Sequence, residues 1–262
     1  MFLRKYERKN SMNLLVIVIG FIVGSFLNVC VFRIPLKESI IFPPSHCMYC
    51  QHKLGILDLI PLLSFIFLKG QCRYCGKKIN MQYPVIELAN GMIYWILFRK
   101  FGLSYSFMFY ALFSSLLLVI AVIDFRTQMI PNKLIIFGIL LGTIFITIDY
   151  IINRSFLAIQ NGITGFLAGA LMILIIILIS QGGMGAGDMK LMGVIGLFLG
   201  FRGVIMSFFL GVLLGGIIGV ILLVTKIKDR KAAIPFAPFL VLGTFASLYW
   251  GDQIFCWYLS LL

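Results

Sequence analysis

"LMILIIILISQGGMGAGDMKLMG", Leu171–Gly193, sets two environments side by side. An uncharged apolar run ends, and four glycines and an aspartate follow at once. The apolar residues are continuous and do not alternate, which selects a helix buried on all sides over a half-exposed strand. Asp188 is one of nine acidic residues among 262, so its place at the end of such a run calls for an explanation.

The rest of the chain repeats the apolar theme. It is 61% hydrophobic and only 12% charged, with a mean hydropathy of +1.06, whereas a soluble domain is about half apolar and about a quarter charged. Runs of roughly 20 apolar residues each span a bilayer, and lipid leaves only helices or closed barrels as spanning structures. The expected fold is all-α: a polytopic membrane protein with about eight transmembrane helices. Candidate spans lie at 12–32, 82–98, 104–124, 133–152, 156–180, 189–201, 203–225 and 234–258. Segment 189–201 is short for an upright crossing at 1.5 Å per residue. No small-residue cleavage site follows the first apolar run, which is read as an uncleaved span.

The net charge of +13 does not imply a nucleic-acid partner. Lys and Arg sit between the apolar runs, as positive-inside topology and contact with anionic lipid require. With eight spans, loops 33–81, 125–132, 181–188 and 226–233 share one face and hold most of the cations, which makes that face cytoplasmic. The basic tip of Arg4, Lys5, Arg8 and Lys9 opposes this orientation.

The sizeable loop, Arg33 to Met81, contains "CMYC" (Cys47, Cys50) and "CRYCGKK" (Cys72, Cys75), two C-x-x-C pairs 21 residues apart. Two such knuckles offer four thiolates at tetrahedral angles, with Gly76 easing the turn after the second pair. The expectation is a small, cysteine-rich, zinc-ribbon-like cytoplasmic domain in which zinc or another thiolate-bound metal is structural. Disulfides fit a reducing compartment poorly; a redox pair is the remaining option. His46 and His52 are read as bystanders, and Cys30 and Cys256 as small residues within spans. The chain then divides into a first span (1–32), the cysteine region (33–81) and a membrane core (82–262).

Asp124 closes "SLLLVIAVID" and precedes "FRTQMIPN"; Asp188 closes "GGMGAGD". The topology brings both to one membrane face. Carboxylates at such depth are functional candidates, and two held together suit an aspartic-protease mechanism. One takes a proton from the attacking water while the other donates to the carbonyl oxygen. Gly182, Gly183, Gly185 and Gly187 would let an extended substrate backbone come close. A proton or ion pathway would also use paired membrane carboxylates. Glu87, after Pro84 at the start of the second span, reads as an interfacial or paired carboxylate.

Together these blocks resemble the type IV prepilin peptidases, the bifunctional leader peptidase/N-methyltransferase family of GxGD aspartic peptidases. "GSFLNVCVFRIP" (Gly24–Pro35) is similar to the family's first block, the stretch from "PPSHCMYC" to "YPVIEL" (Pro43–Leu88) to its cysteine domain, and "DFRTQMIPN" and "GAGDMKL" to its two catalytic blocks. Met48 stands where the family often has proline. The resemblance implies Asp124 and Asp188 as the catalytic pair and Cys47, Cys50, Cys72 and Cys75 as the cysteine set. It implies type IV prepilin or pseudopilin substrates cut at the cytoplasmic face of a bacterial cytoplasmic (inner) membrane, and methylation of the new amino terminus from S-adenosylmethionine. No glycine-rich S-adenosylmethionine loop of a soluble methyltransferase is visible; Glu87 is the candidate near that activity. Presenilin-like and preflagellin peptidases lack the cysteine loop. A metal or proton transporter would need charged groups in mid-bilayer, yet 12–32, 104–123 and 156–180 carry none. A thiol–disulfide carrier would need its cysteines and not its aspartates.

Overall fold

The computed structural model describes residues 2–180, 184–226 and 234–260, with side chains described from Ser11 onward except at 252, 258 and 259. Gly182 and Gly183, most of the 226–233 loop and the side chains of the basic tip lie outside the described residues. The elements are α1 (Phe2–Arg33), a 3₁₀ turn (Ile56–Leu59), α2 (Leu63–Phe67), α3 (Gln82–Phe101), α4 (Tyr105–Thr127), α5 (Asn132–Asn153), α6 (Leu157–Ile179), α7 (Ala186–Val224) and α8 (Ala237–Leu259). Among the described residues, β-structure is limited to two isolated bridges, His46 with Lys53 and Gln71 with Lys78.

The protein is an all-α, multi-pass membrane protein. Among the described residues, five helices are long and apolar enough to cross a bilayer: Ser11–Arg33, α4, α5, α6 and α7. Ala237–Gly251 in α8 is a shorter apolar helix. Each of the eight expected spans is helical. The short segment 189–201 is the first part of α7, which breaks at Gly200, where φ is 71° and ψ is −176°. A side chain would strain that conformation, and glycine does not.

The chain forms two compact units, Met1–Val119 and Ile120–Leu262. In the first, α1 packs closely along α3. A Cβ on Gly20 would come 2.7 Å from Gly91 Cα, and one on Gly24 would come 2.7 Å from Glu87 Cα. Small residues allow this contact, the usual route to helix association in lipid. Polar groups then bridge the seam: Asn90 Nδ2 donates to Gly20 O at 2.7 Å, and Ser115 Oγ donates to Asn90 Oδ1 at 2.9 Å. Asn28 Nδ2 donates to Tyr83 O at 3.1 Å. Each such bond adds about 0.6 kcal/mol in a membrane interior.

In the second unit, Gly165 of α6 and Gly196 of α7 meet backbone to backbone, so neither position has room for a Cβ. This crossing fixes the start of α7 against α6. Ser247 Oγ of α8 donates to Gly203 O of α7 at 3.0 Å. The core beneath is apolar and closed: Ile173, Leu191, Met192, Ile195, Val204 and Leu240 are fully buried.

Candidate functional site

Asp124 lies in the last turn of α4 and Asp188 in the first turn of α7. Both belong to the second unit. The α4 helix ends because Gln128 takes a left-handed φ of 53°, its N–H closing on Asp124 O at 2.8 Å. Pro131 then caps α5. The left-handed Gln128 thus ends the turn three residues before Pro131.

The Asp124 side chain is buried, and its Oδ2 accepts the Ala237 N–H at 3.2 Å. Ala237 opens α8 and is itself fully buried. Helix amino termini carry unpaired N–H groups and partial positive charge, so α8 supplies a fixed donor to this carboxylate. Sequence reasoning missed that donor. Its only signal was Pro238, a residue favoured in the first turn of a helix.

Asp188 is half-buried, and its N–H bonds Gly185 O at 3.1 Å in the first turn of α7. Its carboxylate lies within electrostatic reach of Asp124. The two aspartates, 64 residues apart in sequence, therefore share one site. Of the neighbouring glycines, Gly185 is exposed, and the nearest atom to its missing Cβ is an Asp188 carboxylate oxygen, at 3.6 Å. Gly187 packs against Ile130, 3.2 Å from where a Cβ would lie. Lys190 Nζ donates to Asn132 Oδ1 at 2.9 Å, tying the first turns of α7 and α5. Beside this pair is an open groove of about 370 Å³ lined by Ile135, Ile136, Ile139 and Phe166.

The second candidate site lies in the first unit. Sγ atoms of Cys47, Cys50, Cys72 and Cys75 all fall within 4.8 Å of one another, with Cys47 and Cys75 3.8 Å apart. Four sulfurs at about 2.3 Å from a tetrahedral Zn²⁺ stand about 3.8 Å apart, so the set fits that ion. The two knuckles are built alike. Gln51 N donates to Cys47 O at 2.9 Å and Gly76 N to Cys72 O at 2.9 Å. The residue after each pair is left-handed, Gln51 at φ 58° and Gly76 at φ 68°. Gly76 was legible in sequence; Gln51 in the same role was not.

Desolvation works against a Cys47 thiolate. The Cys50 and Tyr49 N–H groups and the neighbouring thiols outweigh it and bring Cys47 down to about 7. At Cys75 the Lys77 N–H favours the thiolate, but desolvation and the other three sulfurs push the thiol up to about 11. Asp58 braces the cluster from outside. Its carboxylate accepts Arg73 Nε at 2.7 Å, Tyr74 OH at 3.0 Å and Gly55 N–H at 3.1 Å. Desolvation opposes its charge, yet these donors, Gly55 foremost, hold the carboxyl below its ordinary range. His46 bonds Pro44 O and His52 stacks on Tyr74; neither is in the cysteine cluster.

Glu87 is buried in α3, and its Oε2 accepts the Leu62 N–H at 2.8 Å.

Comparison with known proteins matches residues 18–101 to the bacterial peptidase A24 N-terminal domain and residues 111–220 to the type IV leader peptidase family. A prepilin leader peptidase/N-methyltransferase of Bacillus subtilis (strain 168) is 36% identical over 93% of this chain and 96% of its own length. Proteins of the same name from Pseudomonas putida and Stutzerimonas stutzeri are 26% and 28% identical over more than nine-tenths of each chain. No solved structure gives a significant match. The family matches and the near full-length relationship lead to one conclusion: this chain belongs to the type IV leader peptidase family.

Proposed function

We propose that the chain is an aspartic endopeptidase that removes the leader from type IV prepilins or pseudopilins at the cytoplasmic face of a bacterial inner membrane. Asp124 and Asp188 are its catalytic pair. The observation that carries this reading is their meeting at one site where α4 ends and α7 begins. A substrate whose apolar helix spans the bilayer has its scissile bond at that depth, where water and lipid meet. One carboxylate, ionised, takes a proton from the attacking water; the other, protonated, donates to the carbonyl oxygen and later to the leaving amine. The Ala237 amide holds one oxygen of Asp124, leaving the other for the reacting groups.

The relatives' name includes N-methyltransferase; the second activity proposed here is methylation of the new amino terminus, for which S-adenosylmethionine, when bound, supplies the methyl group. Glu87 remains the candidate near that activity. With one oxygen on the Leu62 amide, its part is positional. Cys47, Cys50, Cys72 and Cys75 hold a structural metal, with zinc as the proposed ion. Four protein ligands leave no position for a reacting water. The division of labour follows the first span (1–32), the cysteine region (33–81) and the core (82–262) that carries both aspartates. Positive-inside charge supports a cytoplasmic position for the cysteine region.

The test is mass spectrometry of a type IV prepilin incubated in membranes with this protein and S-adenosylmethionine. The expected product has lost its leader and gained one methyl group. Leader loss without the methyl leaves a peptidase alone, and an intact prepilin contradicts the reading.

A further inference from the structure

Residues 56–68, "ILDLIPLLSFIFL", do not belong in water. They form the 3₁₀ turn and α2, and neither contains a buried residue. Ile56 is 87% exposed and Phe67 79%, with Leu57, Leu59, Ile60, Leu63 and Ile66 exposed beside them. An apolar patch this continuous on a soluble surface marks an interaction site. The one charged residue, Asp58, is turned to Arg73 and Tyr74.

The depth of the segment is set by Glu87. Gly24 meets Glu87 at its Cα, and Gly24 lies within the α1 span, nine residues before its last residue, Arg33. At 1.5 Å per residue that is about 13 Å below the end of the helix. From this level Glu87 reaches the Leu62 N–H at 2.8 Å, and the Ser25 hydroxyl also bonds the carboxylate. The turn between the 3₁₀ segment and α2 is thus held beside membrane-spanning backbone, below the helix end. Leu62 is left-handed there, φ 60°. Irregular backbone at such depth needs a partner for its polar groups, and Glu87 provides one. Lys53 and Lys69, both exposed, bracket the apolar stretch, with Arg73, Lys77 and Lys78 close after it. This is the pattern of an interfacial element: apolar residues in the acyl boundary and cations among anionic headgroups.

We propose that Ile56–Leu68 is seated in the lipid bilayer, its apolar side chains among the acyl chains of the leaflet where α1 ends, and that Glu87 is the positioning residue that holds its turn there. The cysteine cluster then stands on the membrane surface, anchored by this segment as well as by its two connecting helices. The occupant of the patch is lipid, because both ends of the region are tethered to helices at the bilayer and the flanking charge is positive.

Fluorescence tests this with the native Trp95, Trp250 and Trp257 replaced by phenylalanine and Phe67→Trp introduced. The full chain is reconstituted in phosphatidylglycerol-containing vesicles whose lipids are brominated near the headgroup end of their acyl chains. The expected result is loss of emission on the brominated lipid and protection from acrylamide in the water. Quenching by acrylamide alone would overturn the proposal in favour of a solvated loop. Protection from both quenchers would overturn it in favour of a protein partner. Ile56→Trp is a second probe of the same segment. Glu87→Ala should move the introduced tryptophan toward acrylamide, while Glu87→Gln, which retains an acceptor for the Leu62 N–H, should not. Unchanged lipid quenching in Glu87→Ala would remove Glu87 from the proposal.

Discussion

Asp124 and Asp188 occupy opposite helix ends. Asp188, in the first turn of α7, faces the favourable end of its own helix dipole. Asp124, in the last turn of α4, faces the unfavourable one, and the amino terminus of α8 offsets it through Ala237. Two substitutions separate structure from chemistry. Asp124→Ala leaves the buried Ala237 N–H without a partner and should cost about 1–3 kcal/mol, read as a lower midpoint in thermal unfolding in detergent. Asp124→Asn keeps an acceptor and should unfold near the wild-type midpoint while losing cleavage. The Asp124–Ala237 bond spans 113 residues, and Pro238 marks only a helix start, not the carboxylate its first amide meets. The carboxylates, which are scarce and stand at the ends of apolar runs, were legible for the opposite reason.

Among the elements, the two cysteine knuckles and the glycine crossing make separate demands. Cys72→Ser with Cys75→Ser removes two of four sulfurs and should abolish bound zinc, measured by elemental mass spectrometry of the purified protein. Retained stoichiometric metal would contradict the ligand assignment. Asp58→Ala removes three accepted bonds from the brace and should weaken zinc retention against a chelator without removing a ligand. At the α6–α7 crossing, Gly196→Leu forces a side chain into the Gly165 backbone. Overpacking of this kind costs about 1–3 kcal/mol, and here it also displaces the start of α7, so cleavage should fall with stability. C-x-x-C spacing made the knuckles readable because ligand geometry is local. The Leu62–Glu87 bond joins residues 25 apart in sequence through a left-handed leucine, which no residue preference signals.

For the molecule as a whole, hydropathy displayed the helical plan because lipid imposes it on every span. The break at Gly200 falls at the end of the expected segment 189–201, just before 203–225. Hydropathy was silent on Ile56–Leu68, since thirteen residues are too few to read as a span. Orientation has its own test. Ala237 is at the Asp124 end of α8, and Cys256 lies about 28 Å further along the helix, where it is exposed. A membrane-impermeant maleimide should modify Cys256 in intact cells and reach the metal-stripped cysteine cluster only after permeabilisation; the reverse order would invert the topology. The central claim is that two carboxylates, brought together from α4 and α7, cut the substrate. The most direct measurement is the single-turnover cleavage rate of a membrane-embedded prepilin by the wild type, Asp124→Asn and Asp188→Asn, with each variant's unfolding midpoint checked. Loss of general acid–base catalysis predicts a fall of about 10²–10⁴-fold in both variants with midpoints preserved. Wild-type cleavage by either folded variant would contradict the account.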